Sequence, residues 1–280
     1  MEFKKLDKEG LKTLIHWAEL EDWNPGIQDV DLFWATDPDG FYGYFDGDTL
    51  MGGGSLVSYG GKFGFMGLFI VKPEYRSAGK GRALWFLRRD TLLSRLEAGA
   101  AIGMDGVVAM QPFYQKGGFE IAFRDERYEK TGELLPVDNR ISAIEPDAIA
   151  AILAYDTDCF GFARPAFIQT LITQNSSKSF QFIDNSTLKG FAIMRRAVKG
   201  YRIGPLFADN PEIAEALYQA CLNAAPGESI YLDIPVVNTG AVALVKKLGA
   251  ICGFECARMY YGNAPKLNPK VFGITTLELG

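Results

Sequence analysis

The alternation of apolar and polar residues divides the chain into amphipathic helices and short strands. Residues 9–20 place apolar side chains three and four positions apart, which predicts a helix. An apolar run follows at 63–71, breaks at Lys72-Pro73, and resumes with a helical period from residue 83 onwards. We therefore predict a strand, a turn and a helix in succession between residues 63 and 95.

The turn between that strand and that helix combines glycine with positive charge. Gly79 and Gly81 have no side chain to hold a ligand off the backbone, and Arg76, Lys80 and Arg82 are cationic. The first N–H groups of a helix lack intrahelical partners and attract anions. Neither the Walker spacing nor the dinucleotide-binding spacing of glycines is present. The turn is predicted to bind a phosphate or pyrophosphate; the alternative is a basic surface turn.

The second half of the chain repeats the order of elements but lacks this turn. At the corresponding place stands the acidic, glycine-free run 207–211. Residues 130–138 read as a linker, and residues 271–279 read as a final strand. We expect two domains, 1–134 and 135–280, with the phosphorylated ligand bound by the first.

Composition narrows the class of protein. The net charge of −5 over 280 residues argues against nucleic acid and anionic membranes as partners. No run of 18 apolar residues and no signal-peptide pattern is present, so a cytoplasmic protein is expected. The four cysteines have His16 as their only histidine companion, so free thiols and no metal site are expected.

Two motifs resemble those of a known superfamily. Arg76-x-x-Gly79-x-Gly81, after a strand that ends Val71-x-Pro73-x-Tyr75, resembles the acetyl-CoA motif of the GNAT N-acetyltransferases. Tyr114-x-Lys116-x-Gly118-Phe119 resembles their second signature, although Val107 and Met110 stand where Asn and Ala are expected. The chain also contains Gly204-Pro205-x-x-Ala208-Asp209, Asp233-x-Pro235-x-x-Asn238, Arg258-Met259-Tyr260-x-Gly262 and Phe272-Gly273-x-Thr275. As a set, these motifs resemble those of bacterial two-domain acetyltransferases with a type-18 second domain. The resemblance implies an α/β (α+β) fold of two tandem GNAT-like domains, each a mixed, mostly antiparallel sheet flanked by helices.

The resemblance also implies roles for particular residues. It implies transfer of acetyl from acetyl-CoA, and the residues that would hold this co-substrate are Phe69, Ile70, Val71, Arg76, Ser77, Ala78, Gly79, Lys80, Gly81 and Arg82. Tyr114 would protonate the leaving thiolate; a packing tyrosine is the alternative. Met66 and Gly67 stand where many relatives have a glutamate on the strand, so the general base must come from elsewhere in the chain or be water. Asp105, whose pKa burial would raise, is one candidate; the others are Glu19, Glu21, Asp22 and Asp29.

The acceptor is predicted from charge. Residues 13–61 contain nine carboxylates and no lysine or arginine, which favours a small cationic amine. The residues predicted to contact it are Glu21, Asp22, Trp23, Asn24, Asp29, Asp158 and Arg164. The second domain would close the acceptor pocket; alternatively it only stabilises the first domain or a homodimer. A function of another class, a non-catalytic acyl-CoA sensor, is the competing hypothesis.

Overall fold

The computed structural model describes residues 2–76 and 80–280, with the backbone alone for Lys80. The first half contains six strands and four helices. The strands are β1 (Glu2–Lys5), β2 (Phe41–Asp46), β3 (Thr49–Tyr59), β4 (Phe63–Val71), β5 (Ala101–Val107) and β6 (Glu120–Thr131). The helices are α1 (Lys8–Leu20), α2 (Asp29–Thr36), α3 (Lys80–Leu93) and α4 (Gln111–Lys116).

The second half contains seven strands and four helices within the described residues. The strands are β7 (Ile141–Ala143), β8 (Ser177–Asp184), β9 (Thr187–Arg196), β10 (Tyr201–Ala208), β11 (Ser229–Pro235), β12 (Ile251–Tyr261) and β13 (Val271–Gly273). The helices are α5 (Ile149–Phe160), α6 (Pro165–Thr173), α7 (Pro211–Ala224) and α8 (Thr239–Lys247). The two halves therefore repeat one order of elements, and the α/β class predicted from the sequence is confirmed.

Local sequence explains where the helices begin. The Asp7 side chain accepts a hydrogen bond from the Gly10 N–H and caps α1, as expected of an aspartate at that position. Asn210 and Asn238 cap α7 and α8 in the same way. No helix among residues 2–76 and 80–280 is both long and apolar enough to cross a membrane.

The strands form one continuous mixed sheet in which the two halves exchange strands. Its order is β1-β2-β3-β4-β5-β12-β6-β11-β10-β9-β8-β7, with β13 added beside β10. Strand β12 of the second half thus lies next to β5 of the first, and β6 of the first half lies next to β11 of the second. The predicted boundary after residue 134 follows β6, so strands from both sides of it share the centre of the sheet.

The helices cover both faces of the sheet. Helices α1, α2, α5 and α6 pack on one face over the largest apolar core. On the other face, α3 and α4 cover β4 and β5, while α7 and α8 cover β10 and β11. The first face is also the one on which both halves of the chain meet.

Candidate active site

A cleft opens in the sheet where β4 and β5 stop pairing. The two strands are parallel and pair only between Phe63–Phe65 and Ala101–Gly103. Beyond that point β4 bulges away from the regular register with β3, and Leu68 has a φ of 49°, which is rare for a residue with a Cβ. A cavity of about 960 Å³ lies at this cleft. Its volume is that of a site for a drug-sized or larger ligand.

Helix α3 places a buried arginine beside the bulge. The Nη2 of Arg88 donates to the carbonyl oxygens of Ser55 (3.0 Å) and Gly67 (2.6 Å). Its Nε and Nη1 have no hydrogen-bond partner among the described residues. Burial lowers the pKa of Arg88 to about 9, so the side chain is a cation at neutral pH. Space for it exists because Gly54 has no side chain: a Cβ there would overlap the guanidinium.

Helix α4 brings Tyr114 to the same cavity. Its ring lies 4.7 Å from that of Trp85, centroid to centroid, and the residue is 5% exposed. Burial raises the pKa of Tyr114 to about 12, against the charge of Arg88. The phenol is therefore protonated at neutral pH and able to donate a proton.

The described part of the predicted acetyl-CoA site lines this cavity as well. It comprises Phe69, Ile70, Val71, Arg76, Gly81 and Arg82. The Nε of Arg76 donates to the carbonyl oxygen of Val71 at 2.7 Å. Among the described residues, a Cβ at Gly81 would meet only Val71, at 3.9 Å. Ser77, Ala78 and Gly79 lie outside the described residues, as does the side chain of Lys80. Arg76 and Arg82 bring two cations to the cavity wall, and guanidinium groups are suited to the phosphate end of a CoA ester.

Four of the predicted acceptor residues reach the cavity from the segment between α1 and α2. They are Glu21, Asp22, Trp23 and Asn24. Their acids are not free: Glu21 pairs with Arg76, and Asp22 pairs with Lys199 at 2.6 Å. The ion pair with Lys199 lowers the pKa of Asp22. Arg76 and Lys199, which come from other parts of the chain, therefore pair with two of the acids in this segment.

Three other predicted acceptor residues do not line this cavity. Asp29 is fully buried and pairs with Arg195 (2.8 Å). Arg164 is buried against Asp156. Asp158 is exposed and pairs with Lys270 (3.3 Å). Asp158 lies in the last turn of α5, which ends at Phe160. All three residues therefore form ion pairs outside the cavity wall.

Asp105 lines the cavity but is engaged by an arginine. Arg258 donates to both of its carboxylate oxygens, at 2.6 and 3.0 Å. Burial raises the pKa of Asp105, against the pull of Arg258. Asp125 and Cys256 bring possible metal ligands within 4.8 Å of this carboxylate. Because the Arg258 cation already occupies both oxygens of Asp105, we assign no metal to this group.

Several residues of the cavity were missed from the sequence. They are Arg88, Arg127, Lys199, Tyr231, Phe254 and Glu278. Most belong to the second half or to β6, which pairs with strands of the second half, and no local sequence pattern identifies them. Glu278 lies in the run 271–279, whose apolar character predicted a strand. The structure forms β13 over Val271–Gly273 only, and the remaining residues, all buried except the partly exposed Leu277, form no further strand.

The corresponding cleft of the second half is filled by the chain itself. Strands β10 and β11 pair in parallel only between Tyr201–Ile203 and Ile230–Leu232. Beyond that point β13 pairs with β10, and the Ile274 N–H donates to the carbonyl oxygen of Asp233 on β11 (2.9 Å). A ligand would have to displace these residues to enter there.

The site combines two parallel strands that part, a bulge where they part, and a cationic helix start beside it. This combination is typical of acyltransferases of this fold. Two family profiles agree with this assignment. The acetyltransferase (GNAT) family matches residues 9–119, and the acetyltransferase (GNAT) domain of type 18 matches residues 152–273. The chain belongs to the GNAT acetyltransferases, with two such domains in tandem, and is an acyltransferase.

Relatives and solved structures cover nearly the whole chain. Holothin acyltransferase of Pseudoalteromonas sp. (strain SANK 73390) is 27% identical over 267 residues, which are 94% of this chain and 89% of that protein. A putative acetyltransferase from Pyrococcus horikoshii matches with a TM-score of 0.84 and 20% identity, covering 100% of this chain and 95% of that one. A tandem GNAT protein from the clavulanic acid biosynthesis pathway matches with a TM-score of 0.65 and 12% identity, covering 95% and 99%. These two structures support the fold.

Proposed function

We propose that the protein transfers an acetyl group from acetyl-CoA to the amine of a small molecule held in this cavity. The observation that carries the proposal is the continuity of the cavity. It joins the bulge of β4 and Tyr114 to the segment between α1 and α2 and to residues of the second half. Donor and acceptor can therefore meet at one point, as direct transfer in a ternary complex requires.

The roles of the first-half residues follow from this placement. Acetyl-CoA would lie with its phosphates at Arg76 and Arg82 and its thioester at the bulge. Backbone N–H groups of residues 69–71, where β4 no longer pairs with β5, would bind the carbonyl oxygen as negative charge develops on it. Tyr114 would give its proton to the departing thiolate. One acetyl-CoA would bind per chain, because β13 and Ile274 occupy the other cleft.

The residues of the cavity favour an acceptor with an apolar body rather than one recognised by its positive charge. A cationic acceptor loses its support because Arg76 and Lys199 pair with the acids that suggested it. Trp23, Tyr231 and Phe254 bring aromatic rings to the cavity. We infer an amine carried on a ring or an apolar chain. Since a relative is a holothin acyltransferase, holothin is a first acceptor to test.

The second half would then help to form the acceptor pocket. It contributes Lys199, Tyr231, Phe254 and Leu277 to the cavity wall. These side chains are cationic, aromatic and aliphatic. A second half that only stabilised the fold would not need to contribute such a set to the cavity wall.

Release of CoA from acetyl-CoA, measured with a thiol reagent over holothin and a panel of aromatic, aliphatic and cationic amines, tests this proposal. Turnover is expected with an amine on an apolar body. Tyr114→Phe should lower kcat by about 100-fold or more, the usual contribution of a general acid. Tyr128→Phe is the matched control, since burial likewise raises the pKa of Tyr128 to about 12. Tyr128 does not line the cavity.

Two results would contradict the proposal. Tight binding of acetyl-CoA without turnover on any acceptor would favour the acyl-CoA sensor. Equal activity of the Tyr114→Phe and Tyr128→Phe variants would remove Tyr114 from the chemistry.

A further inference from the structure

A buried segment, residues 274–280, crosses the face of the sheet beside the bulge of β4. The carbonyl oxygen of Glu278 accepts a hydrogen bond from Ser55 Oγ (3.2 Å), and that of Leu279 accepts one from the Tyr59 hydroxyl (2.6 Å). Gly67 permits this approach, because a Cβ at that position would overlap the Glu278 carbonyl. Glu278 can therefore lie against β4 because Gly67 has no side chain.

The Glu278 side chain keeps one oxygen without a hydrogen-bond partner. Its Oε1 accepts from Arg202 Nη1 at 3.0 Å. Its Oε2 is buried and has no hydrogen-bond partner among the described residues. The residue is 4% exposed and lines the cavity. A buried carboxylate oxygen that lacks a partner gains a favourable interaction when an N–H donor arrives.

The other carboxylates in the cavity wall are already engaged. Glu21 pairs with Arg76, Asp22 with Lys199, and Asp105 with Arg258. Glu129 accepts a hydrogen bond from Ser229 at 2.6 Å. Asp125 has two oxygens without hydrogen-bond partners among the described residues, but it does not line the cavity. Glu278 therefore combines a free oxygen with a position in the cavity wall.

We propose that Glu278 is the general base of the reaction, an inference that rests on the proposed acetyl transfer. The amine nitrogen bonds to the thioester carbon, the proton it must lose passes to Oε2 of Glu278, the C–S bond breaks, and Tyr114 gives its proton to the sulfur. Solvent then carries the proton from Glu278 back to Tyr114. Arg202 holds the other oxygen in place by donating to Oε1 at 3.0 Å.

The test compares Glu278→Gln with Glu278→Asp and the wild type, with the acceptor that gives the best wild-type turnover. Gln keeps an oxygen for Arg202 but cannot take a proton, and Asp keeps the charge but is one methylene shorter. Asp37→Asn is the control, because Asp37 is a buried acid paired with Arg95 (2.8 Å) that does not line the cavity. The readouts are kcat, KM for acetyl-CoA, thermal stability, and kcat/KM as a function of pH.

Glu278→Gln is expected to lower kcat by about 100-fold or more, while KM for acetyl-CoA changes less than threefold. Protonation of the acceptor amine lowers kcat/KM at low pH in every variant, but the fall should involve one ionisation fewer in Glu278→Gln than in the wild type and in Glu278→Asp. Asp37→Asn should lose stability without this change in the pH profile. If Glu278→Gln fails to fold, kcat of Glu278→Asp decides: withdrawing the carboxylate by one methylene should lower kcat at least about tenfold, and a wild-type kcat in Glu278→Asp overturns the proposal.

Two further outcomes separate this inference from the function on which it rests. Wild-type turnover that survives in Glu278→Gln with its pH profile intact would overturn the role of Glu278 and leave acetyl transfer standing. A wild type that turns over no acceptor would overturn both.

Discussion

Among the acids that connect the two halves, Asp233 is the one whose loss we expect to lower the free energy of unfolding most. Two arginines share its carboxylate: Arg127 donates to both oxygens at 2.7 and 3.0 Å, and Arg202 donates to Oδ2 at 3.0 Å. Arg127 lies on β6, Asp233 on β11 and Arg202 on β10. The substitution Asp233→Asn keeps the shape but places an amide, with no charge, between two buried cations.

The expected loss is several kcal/mol. Burial alone would raise the pKa of Asp233, but Arg127 and Arg202 overcome it and hold the pKa at about 2, below its ordinary value of 3.8. A carboxyl held at that pKa contributes roughly 2.5 kcal/mol to stability at neutral pH. Leaving buried guanidinium groups without their acid raises the total to about 3–5 kcal/mol. The midpoint of thermal unfolding should fall by roughly 10 °C.

Asp138→Asn provides a matched comparison. The pKa of Asp138 is also lowered to about 2, by Arg140, but these side chains are 26% and 49% exposed. Solvent screening limits such a pair to about 1 kcal/mol or less. Urea and thermal unfolding of both variants at pH 7 would measure the difference. Equal losses in the two variants would refute the argument from burial.

The effect of pH gives a second check on Asp233. Its folded pKa is depressed, so the stability it contributes is fully present above pH 3.8 and is lost as the pH falls through about 2. The gap between wild type and Asp233→Asn should therefore narrow as the pH is lowered below about 4. A gap that stays constant down to the acid limit would assign the loss to packing rather than charge.

Two further predictions concern packing and cooperativity. Gly54→Ala should cost about 1–3 kcal/mol in thermal unfolding because its methyl group would overlap Arg88. Gly253→Ala should cost far less, because no atom of the described residues lies within 4 Å of the added carbon; equal costs would contradict the overlap. Because the halves exchange strands, unfolding in urea followed by tryptophan fluorescence and by circular dichroism should give one coincident transition, and two separate transitions would show that each half is stable alone.

Local elements of the fold could be predicted from the sequence because their causes are local. The period of apolar residues at 9–20 corresponds to α1 at Lys8–Leu20, and the apolar run at 63–71 is β4. The helical period that resumes at residue 83 lies within α3 at Lys80–Leu93. Tyr114 and the strand end reached one cavity because a strand, turn and helix in succession have few ways to pack.

The missing parts depend on contacts between distant residues. Asp29 looked available as a ligand for an amine, but its partner Arg195 lies 166 positions away. The same holds for Asp22 and Lys199, 177 positions apart. The apolar sequence that includes most of residues 274–280 predicted a strand. An apolar run, however, indicates burial more directly than it indicates a backbone conformation. Glu278 could be recognised only once Gly67 was seen beside it.

The exchange of strands has a consequence for synthesis of the chain on the ribosome. Strand β5 ends at Val107, and its neighbour β12 begins at Ile251, 144 positions later. At ordinary rates of translation this interval lasts roughly 10–30 s. Throughout it, the nascent sheet presents the edges of β5 and β6 without their final partners, and open edges invite pairing with other chains. The protein is therefore most exposed to aggregation while its second half is still being made.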